Sequence, residues 1–217
     1  SYLFGHPRLS VLSDGAYAAL VRAARARNKK TALHALSLKG IRKGIELKVD
    51  TIEHLPLEEL TAQDVRMIKE ADITVIPTLI APGMYREDLI RVLRDIVIAT
   101  DNYLAPRSRR ETLDIIDRVI AGEESDTLID YRFLRKKYGL MVKNLVRLRE
   151  GGVRIGFGTD AGGTDTCLFG LPWLEMRLMS EAGMGNYEIL ETATRINAEV
   201  IGLDRELGTI ETGKIAD

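Results

Sequence analysis

Three side chains that can bind a metal ion stand where predicted strands end. His34 closes the short apolar run TALHA, His54 closes VDTIEH, and Asp160 follows VRIGFG. Because the carboxyl ends of parallel strands meet at one edge of a sheet, we expect these groups to lie close together. Two imidazoles and a carboxylate are ligands that zinc or a related divalent cation accepts. The pattern predicts a metal site; the alternative is that each histidine is an ordinary core or surface residue.

Other polar residues carry weaker signals. Tyr85, Arg86 and His6 lie in or near loops that follow strands, where they either reach a substrate or face solvent. Tyr85 and Arg86 are the candidate substrate-binding pair. Glu53 precedes His54, and strand alternation predicts that its side chain points away from that of His54, which favours a structural pairing over catalysis.

A glycine-rich turn surrounds Asp160 in the sequence GFGTDAGG. Glycines permit tight turns and a close approach of the backbone, so this loop can present a carboxylate to a ligand. A dinucleotide-binding loop is the competing interpretation. However, Gly162 falls one position too late for G-x-G-x-x-G, and no second strand with a ribose-binding acid follows roughly 20 residues later. The sequence therefore disfavours a dinucleotide site.

The composition excludes several classes of protein. The 217 residues are 45% hydrophobic, and 31 basic and 32 acidic side chains give a net charge of −1, which disfavours a general nucleic-acid or membrane-surface binder. No apolar run approaches the ~18–20 residues that span a bilayer, and the start SYLFGHPRLS lacks a signal-peptide layout. Cys167 is the single cysteine, so we expect a packing residue, no internal disulfide and no cysteine-based zinc site. We predict a cytoplasmic α/β protein.

Short apolar runs alternate with amphipathic segments along much of the chain. Ser13 and Thr61 precede such segments as N-caps, and Asp64 stands in capping-box position after Thr61. Alternation of strands and helices with short connections indicates βαβ units and a parallel sheet. The four predicted strands begin near residues 31, 49, 73 and 153.

The remainder of the chain is predicted to be mostly helical. The stretch from about 85 to 150 is too long for a simple crossover and indicates a crossover helix plus a helical insertion. Helices are also expected over about 172–181 and 186–197, followed by a strand and turn at the end. Since a closed (β/α)8 barrel needs eight strands and typically ~250 residues, four strands indicate a piece of something larger.

In their order and spacing, these motifs resemble the amidohydrolase superfamily. TALHALSLKGIRKGIELKVDTIEH is similar to the fifth and sixth strands of that family, ITVIPTL to the seventh and VRIGFGTDAGG to the eighth. The tail from GLPWLEM to GKIAD is similar to the family's ending, with its asparagine-alanine turn. The resemblance is nearest to imidazolonepropionase-like and Xaa-Pro dipeptidase-like members.

The resemblance implies a partial (β/α)8 TIM-type barrel, with strands five to eight and their helices. It implies that residues 1–217 form one partial amidohydrolase domain. This domain would contain a helical insertion at about 85–150 and the start of a C-terminal β segment at about 207–217.

The resemblance also implies residue roles. His34, His54 and Asp160 correspond to metal ligands for one or two divalent ions, most often Zn²⁺. In mononuclear members the second histidine polarises the substrate carbonyl, and the aspartate serves as general base. The implied reaction is hydrolysis of an amide, peptide or cyclic-amide C–N bond by a metal-activated water, with Asp160 and His54 as catalytic residues.

The departures from the family pattern leave alternatives open. The His-x-His pair of the family's first strand and the lysine of its fourth have no counterpart in this chain. Half a barrel would also expose two sheet edges, which a homo-oligomer or a missing N-terminal half would cover. The partners would otherwise be small-molecule or peptide substrates. Three alternatives follow for such a chain. It would be part of a hydrolase and inactive alone, or a non-catalytic α/β fragment that acts through self-association, or a protein that binds a metal without hydrolase activity.

Overall fold

A computed structural model describes residues 12–99, 105–123, 131–162 and 168–216. His6 and Cys167 lie outside the described residues. The elements, in chain order, are α1 (Asp14–Arg25), β1 (Ala32–His34), α2 (Leu38–Leu47), β2 (Thr51–Glu53), α3 (Ala62–Glu70), β3 (Thr74–Ile76), α4 (Ile80–Gly83), α5 (Glu87–Ala99), α6 (Pro106–Ala121), α7 (Tyr131–Glu150), α8 (Pro172–Glu181), α9 (Asn186–Glu191), a π-helical segment (Thr192–Ile196) and α10 (Asn197–Ile201).

Three short strands form a parallel sheet in the order β1-β2-β3. Leu33 lies beside Ile52, and Ile52 lies beside Val75, so the three strands are in register at their centres. Helices α2 and α3 make the two crossovers, and Ile52 and Val75 are almost completely buried. The predicted α/β class with parallel strands is confirmed.

The predicted fourth strand is reduced to one isolated bridge between Val75 and Ile155. The Gly156 N–H donates to the Val75 carbonyl at 2.9 Å, but the pairing ends there. The next residue of β3 that would face this segment is Pro77, which has no N–H to donate. On the opposite edge, Asn197 Oδ1 accepts from the Phe157 N–H at 2.9 Å and Asn197 Nδ2 donates to the Phe157 carbonyl at 2.8 Å. A side chain therefore bonds the backbone groups at Phe157 that a further strand would use.

Two predicted helix caps are present. Ser13 Oγ accepts from the Ala16 N–H at 3.2 Å at the start of α1. Thr61 and Asp64 form a reciprocal capping box at the start of α3, with both backbone bonds at 3.1 Å. Local side-chain chemistry therefore fixes both helix starts, as expected for N-caps.

The region predicted as a helical insertion contains α5, α6 and α7 among its described residues. Helix α5 packs on α6, while α7 contacts α3 and α4. Helix α8 has the predicted bounds, whereas the helix predicted over 186–197 is α9, a π turn and α10. Residues 207–216 form turns, so a C-terminal β segment stays a prediction. Within the described part of the chain, every helix is too short or too polar to span a bilayer.

A buried asparagine ties the segment after β2 to α7. Asn144 is fully buried, and its Nδ2 donates to the carbonyls of Pro56 at 3.0 Å and Glu58 at 2.9 Å. Its Oδ1 accepts from the Leu60 N–H at 3.0 Å. Buried polar groups are costly unless they are hydrogen-bonded, and here each bond satisfies a backbone group. Asn144 therefore fixes the loop that begins directly after His54.

We predict that Asn144→Ala lowers the free energy of unfolding by about 2–4 kcal/mol, because it leaves the buried Leu60 N–H without its acceptor. Urea denaturation followed by circular dichroism measures the change. Gln63→Ala, which removes an exposed amide from α3, should stay within about 0.5 kcal/mol of the wild type. An Asn144→Ala variant as stable as Gln63→Ala would contradict this role.

Candidate metal centre

The structure brings two of the three candidate ligands into direct contact. His34 Nδ1 lies 2.9 Å from His54 Nε2, and the ring centroids are 4.6 Å apart. The ring planes are inclined by 76°, so an edge of one ring meets the other. Residues 20 positions apart in the chain thus present two ring nitrogens to each other.

The backbone at the strand ends sets this arrangement. His34 is the last residue of β1 and lies beside Glu53 of β2. His54 leaves β2 in the left-handed region, with φ of 75°, while its N–H donates to the Ile76 carbonyl at 2.8 Å. Left-handed backbone interrupts the two-residue alternation of a strand. The direction of the His54 ring therefore cannot be predicted by continuing the alternation of β2.

Thr78 holds the other side of the His54 ring. Its Oγ1 lies 2.5 Å from His54 Nδ1, and its backbone has φ of 46°. A left-handed conformation is strained for a β-branched residue and persists where surrounding contacts determine it. A histidine with one ring nitrogen fixed by a hydrogen bond has its tautomer and ring orientation set, as in many metal-binding histidines.

Desolvation favours the neutral form of both imidazoles, although His54 is buried and His34 is exposed at the end of β1. Burial, together with the neighbouring His34, lowers the pKa of His54 to about 4. Burial also lowers the pKa of His34, although the charge of Asp160 acts to raise it. Neutral imidazole is the form that binds metals, so both rings are in the ligand form near pH 7.

Asp160 is coupled to this pair through its charge. Asp160 follows the segment that was predicted as the fourth strand, and its backbone has φ of 55°. Burial raises the pKa of its carboxyl group, and the charge of His34 lowers that pKa. In residues 12–99, 105–123, 131–162 and 168–216, no three His, Cys, Asp or Glu side chains are grouped so that they could hold a metal ion. The structure therefore joins the two histidines and leaves the role of Asp160 as a ligand a prediction.

Thr78 is a part of the site that sequence reasoning missed, whereas Glu53 was expected to have a structural role. Glu53 Oε1 accepts from Thr51 Oγ1 at 2.6 Å, which is the kind of structural pairing expected. Its pKa is raised by burial and by the charge of Asp160, so it also belongs to the electrostatic surroundings of the site. For Thr78, the only signal in the sequence is a hydroxyl residue just beyond the strand ITVIP.

Arg86, one of the two candidate substrate-binding residues, pairs with residues other than the two histidines. Tyr85 is 5% exposed. Arg86 pairs with Asp88 at 2.8 Å and with Glu181 at 2.7 Å, and its guanidinium lies 5.4 Å from the centre of the Tyr138 ring. These contacts direct Arg86 toward α7 and α8. Substrate binding by Tyr85 and Arg86 stays a prediction.

The donor chemistry of the histidine pair fits a divalent cation. Zinc–nitrogen bonds of about 2.0–2.1 Å in a tetrahedral site would place two ligand nitrogens roughly 3.3 Å apart. The nitrogens of His34 and His54 lie 2.9 Å apart, both rings are neutral, and Thr78 fixes the nitrogen of His54 that faces away from the pair. Small movements of the rings would therefore admit a borderline cation such as zinc.

Comparison with known proteins identifies the family. The sequence profile of the Amidohydrolase family matches residues 5–217. The chain belongs to the amidohydrolase family. A comparison with curated proteins gave no significant match.

Solved structures similar to this amidohydrolase chain agree in fold. A Xaa-Pro dipeptidase with bound methionine matches 94% of this chain and 42% of its own length, with 23% identity and a TM-score of 0.65. A prolidase complexed with N-methylphosphonate-L-proline matches 95% and 41%, with 23% identity and a TM-score of 0.67. A candidate prolidase from Bifidobacterium longum matches 94% and 44%, with 26% identity and a TM-score of 0.68. The chain thus spans about two fifths of their length, and its relatives imply a TIM-barrel-like fold.

We predict that the unfolding free energy of the metal-free amidohydrolase chain falls as pH drops from 6.5 to 4. The pKa of His54 is about 4 in the folded protein and about 6.5 when unfolded, so the unfolded state takes up the proton first. This stabilisation is complete above pH 6.5 and is lost toward pH 4, by about 3 kcal/mol.

Urea denaturation at several pH values, with a chelator present, measures the effect. Carboxylates also titrate in this range, so the comparison is between the wild type and His54→Gln, whose stability should depend less steeply on pH. Equal slopes for the two proteins would contradict the lowered pKa of His54.

We predict that Thr78→Val lowers the unfolding free energy by about 1–2 kcal/mol, because His54 Nδ1 loses its buried partner. Valine keeps the β-branched shape, so the hydroxyl is the main difference. Thr78→Ser keeps the hydroxyl and should stay close to the wild type. Nitrogen NMR of the His54 ring should change for the valine variant alone; a spectrum unchanged in Thr78→Val would show that the hydroxyl does not hold the ring.

Proposed function

We propose that this chain is part of a metal-dependent hydrolase that cleaves an amide-type C–N bond in a peptide or cyclic amide. The observation that carries the proposal is the meeting of His34 Nδ1 and His54 Nε2 at 2.9 Å, with the pKa of both imidazoles lowered toward the neutral form. Membership of the amidohydrolase family supports metal dependence.

His34 and His54 would hold the cation, with Zn²⁺ as the first candidate. Such a cation, when bound, lowers the pKa of water and polarises a carbonyl. Thr78 would keep the His54 ring turned toward His34, which preserves the pair of donors. The site would hold one or two such cations.

Asp160 would act as the general base. Its carboxylate would take a proton from the attacking water and return it to the leaving amine, which completes cleavage of the C–N bond. Burial raises its pKa, and a base is most effective when its pKa lies nearer the working pH. Its electrostatic coupling to His34 supports a position beside the histidine pair.

Dipeptides that end in proline are the first substrates to test. Two similar structures are a Xaa-Pro dipeptidase and a prolidase that binds a proline phosphonate. Since this chain spans 41–44% of the three structures described, we also propose that further ligands come from segments outside these 217 residues or from a second copy. A cytoplasmic location is part of the same proposal.

A non-catalytic protein that retains the ligand residues is the second candidate. The observation in its favour is that the described residues group two ligand side chains rather than three. Metal content and hydrolysis distinguish the two candidates, because the second requires neither.

We predict that Asp160→Asn lowers kcat for Xaa-Pro hydrolysis by about 100–10,000-fold while zinc stays bound, and that His34→Ala loses the zinc. The protein used should be the full-length polypeptide that contains this chain, loaded with zinc. Turnover and metal content by mass spectrometry are the two measurements.

Asp72→Asn is a matched control for the aspartate. Asp72 also has a left-handed backbone, with φ of 54°, but its side chain is 87% exposed and pairs with Arg154. The Asp72→Asn variant should retain wild-type turnover. Less than about a tenth of an equivalent of zinc in the wild type, with no further loss in His34→Ala, would favour the non-catalytic protein.

A further inference from the structure

One buried carboxylate takes no part in the proposed chemistry. Glu175, on α8, has 0% exposure, and both its oxygens accept backbone N–H groups. Oε1 accepts from Leu79 at 2.9 Å, and Oε2 accepts from Ile80 at 2.6 Å. A carboxyl group is costly to bury in the core, and it is retained where its hydrogen bonds fix the position of other parts of the chain. The question is what these two bonds hold.

They hold the chain immediately after Thr78. Leu79 and Ile80 are the next two residues, and Ile80 begins the four-residue helix α4. Thr78 Oγ1 in turn lies 2.5 Å from His54 Nδ1, and His54 Nε2 meets His34. A continuous series of contacts therefore runs from the Glu175 carboxylate through the backbone after Thr78 to the histidine pair.

The opposite end of α4 is fixed by packing. A Cβ atom at Gly83 would lie 3.0 Å from Leu178 Cδ1 and 3.2 Å from the ring of Tyr138, so α4 fits closely against both α8 and α7. With its start held by Glu175 and its end held by these side chains, α4 has little freedom to shift. The segment that carries Thr78 is therefore anchored in the core on its C-terminal side.

The strained backbone of Thr78 makes such anchoring necessary. A threonine at φ of 46° would relax toward an allowed conformation unless its neighbours were fixed. Relaxation would turn Oγ1 away from the His54 ring and release that ring from its orientation. The hydrogen bonds of Glu175 oppose this movement at the two residues that follow.

We propose that Glu175 is a positioning residue, which fixes the turn after β3 so that Thr78 holds His54 Nε2 toward His34. The consequence for metal binding rests on the proposed function, whereas the orientation of the ring does not. A glutamine at this position would keep the shape, but its amide nitrogen has no lone pair to accept the second backbone N–H. A carboxyl group has lone pairs on both oxygens in either protonation state.

We predict that Glu175→Gln weakens Co²⁺ binding by about 10–100-fold, the range for residues that orient metal ligands. The measurement is a titration of the full-length, metal-free protein with Co²⁺, followed by visible absorption. The double variant Glu175→Gln/Thr78→Val should bind Co²⁺ no more weakly than Thr78→Val alone, because Glu175 acts through Thr78.

Asp64→Asn is the matched control. Asp64 is also a buried carboxylate that accepts a backbone N–H, from Thr61, but it caps α3 rather than the turn after β3. This variant should lose stability and keep wild-type Co²⁺ affinity. A role for Glu175 in stability alone predicts the same behaviour for Glu175→Gln, and that result would overturn the proposal.

Nitrogen NMR of the His54 ring tests the orientation without a metal. Glu175→Gln should shift the His54 ring resonances, and Asp64→Asn should leave them unchanged. If the wild type binds no Co²⁺, the proposed function fails, and these spectra still decide the role of Glu175. If Glu175→Gln does not fold, Glu175→Asp takes its place in the test. Aspartate keeps both oxygens on a shorter side chain, so this variant should shift the His54 ring resonances away from those of the wild type. Resonances unchanged in the folded variant would refute the proposal.

Discussion

The contact between the two imidazoles constrains the rest of the structure. The two ring nitrogens lie 2.9 Å apart, and desolvation lowers the pKa of both rings, so both favour the neutral form. His34 reaches this position as the end of β1, and His54 reaches it by leaving β2 in a left-handed turn. The parallel register of the two strands, with His34 beside Glu53, is what brings the ends together.

Three of the strand ends that form the site have a left-handed backbone, and polar side chains from later helices bond the chain beside two of them. His54, Thr78 and Asp160 each have positive φ, a conformation that typically costs about 1–3 kcal/mol for a residue other than glycine. Glu175 bonds the backbone after Thr78, and Asn197 bonds the backbone at Phe157, three residues before Asp160. Helices that follow the sheet in sequence thus supply the side chains that fix its carboxyl edge.

Short-range patterns predicted much of the fold, and contacts between distant parts of the chain account for the rest. The capping box of Thr61 and Asp64 and the bounds of α8 depend on neighbouring residues, so sequence alone indicated them. The fourth strand was wrong as a full strand because its pairing with β3 ends after one bridge, where Pro77 has no N–H to continue the ladder. Asn197, forty residues later, bonds Phe157 on the opposite edge. For the site, residue types predicted the histidine pair, whereas nothing local marks Glu175 as more than a charged residue in a helix.

The electrostatics of the site explain why a cation suits it. Burial disfavours charge on every group there: it lowers the pKa of His34 and His54, and it raises the pKa of Glu53 and Asp160. The charge of Asp160 also raises the pKa of Glu53. A positive ion beside the neutral imidazoles would offset this cost and favour the ionised form of Asp160, which is the form a general base requires. Desolvation thus favours the neutral form of the imidazoles and of the carboxyl groups, and a cation would offset it for the carboxyl groups, which supports the proposal of a metal-dependent hydrolase.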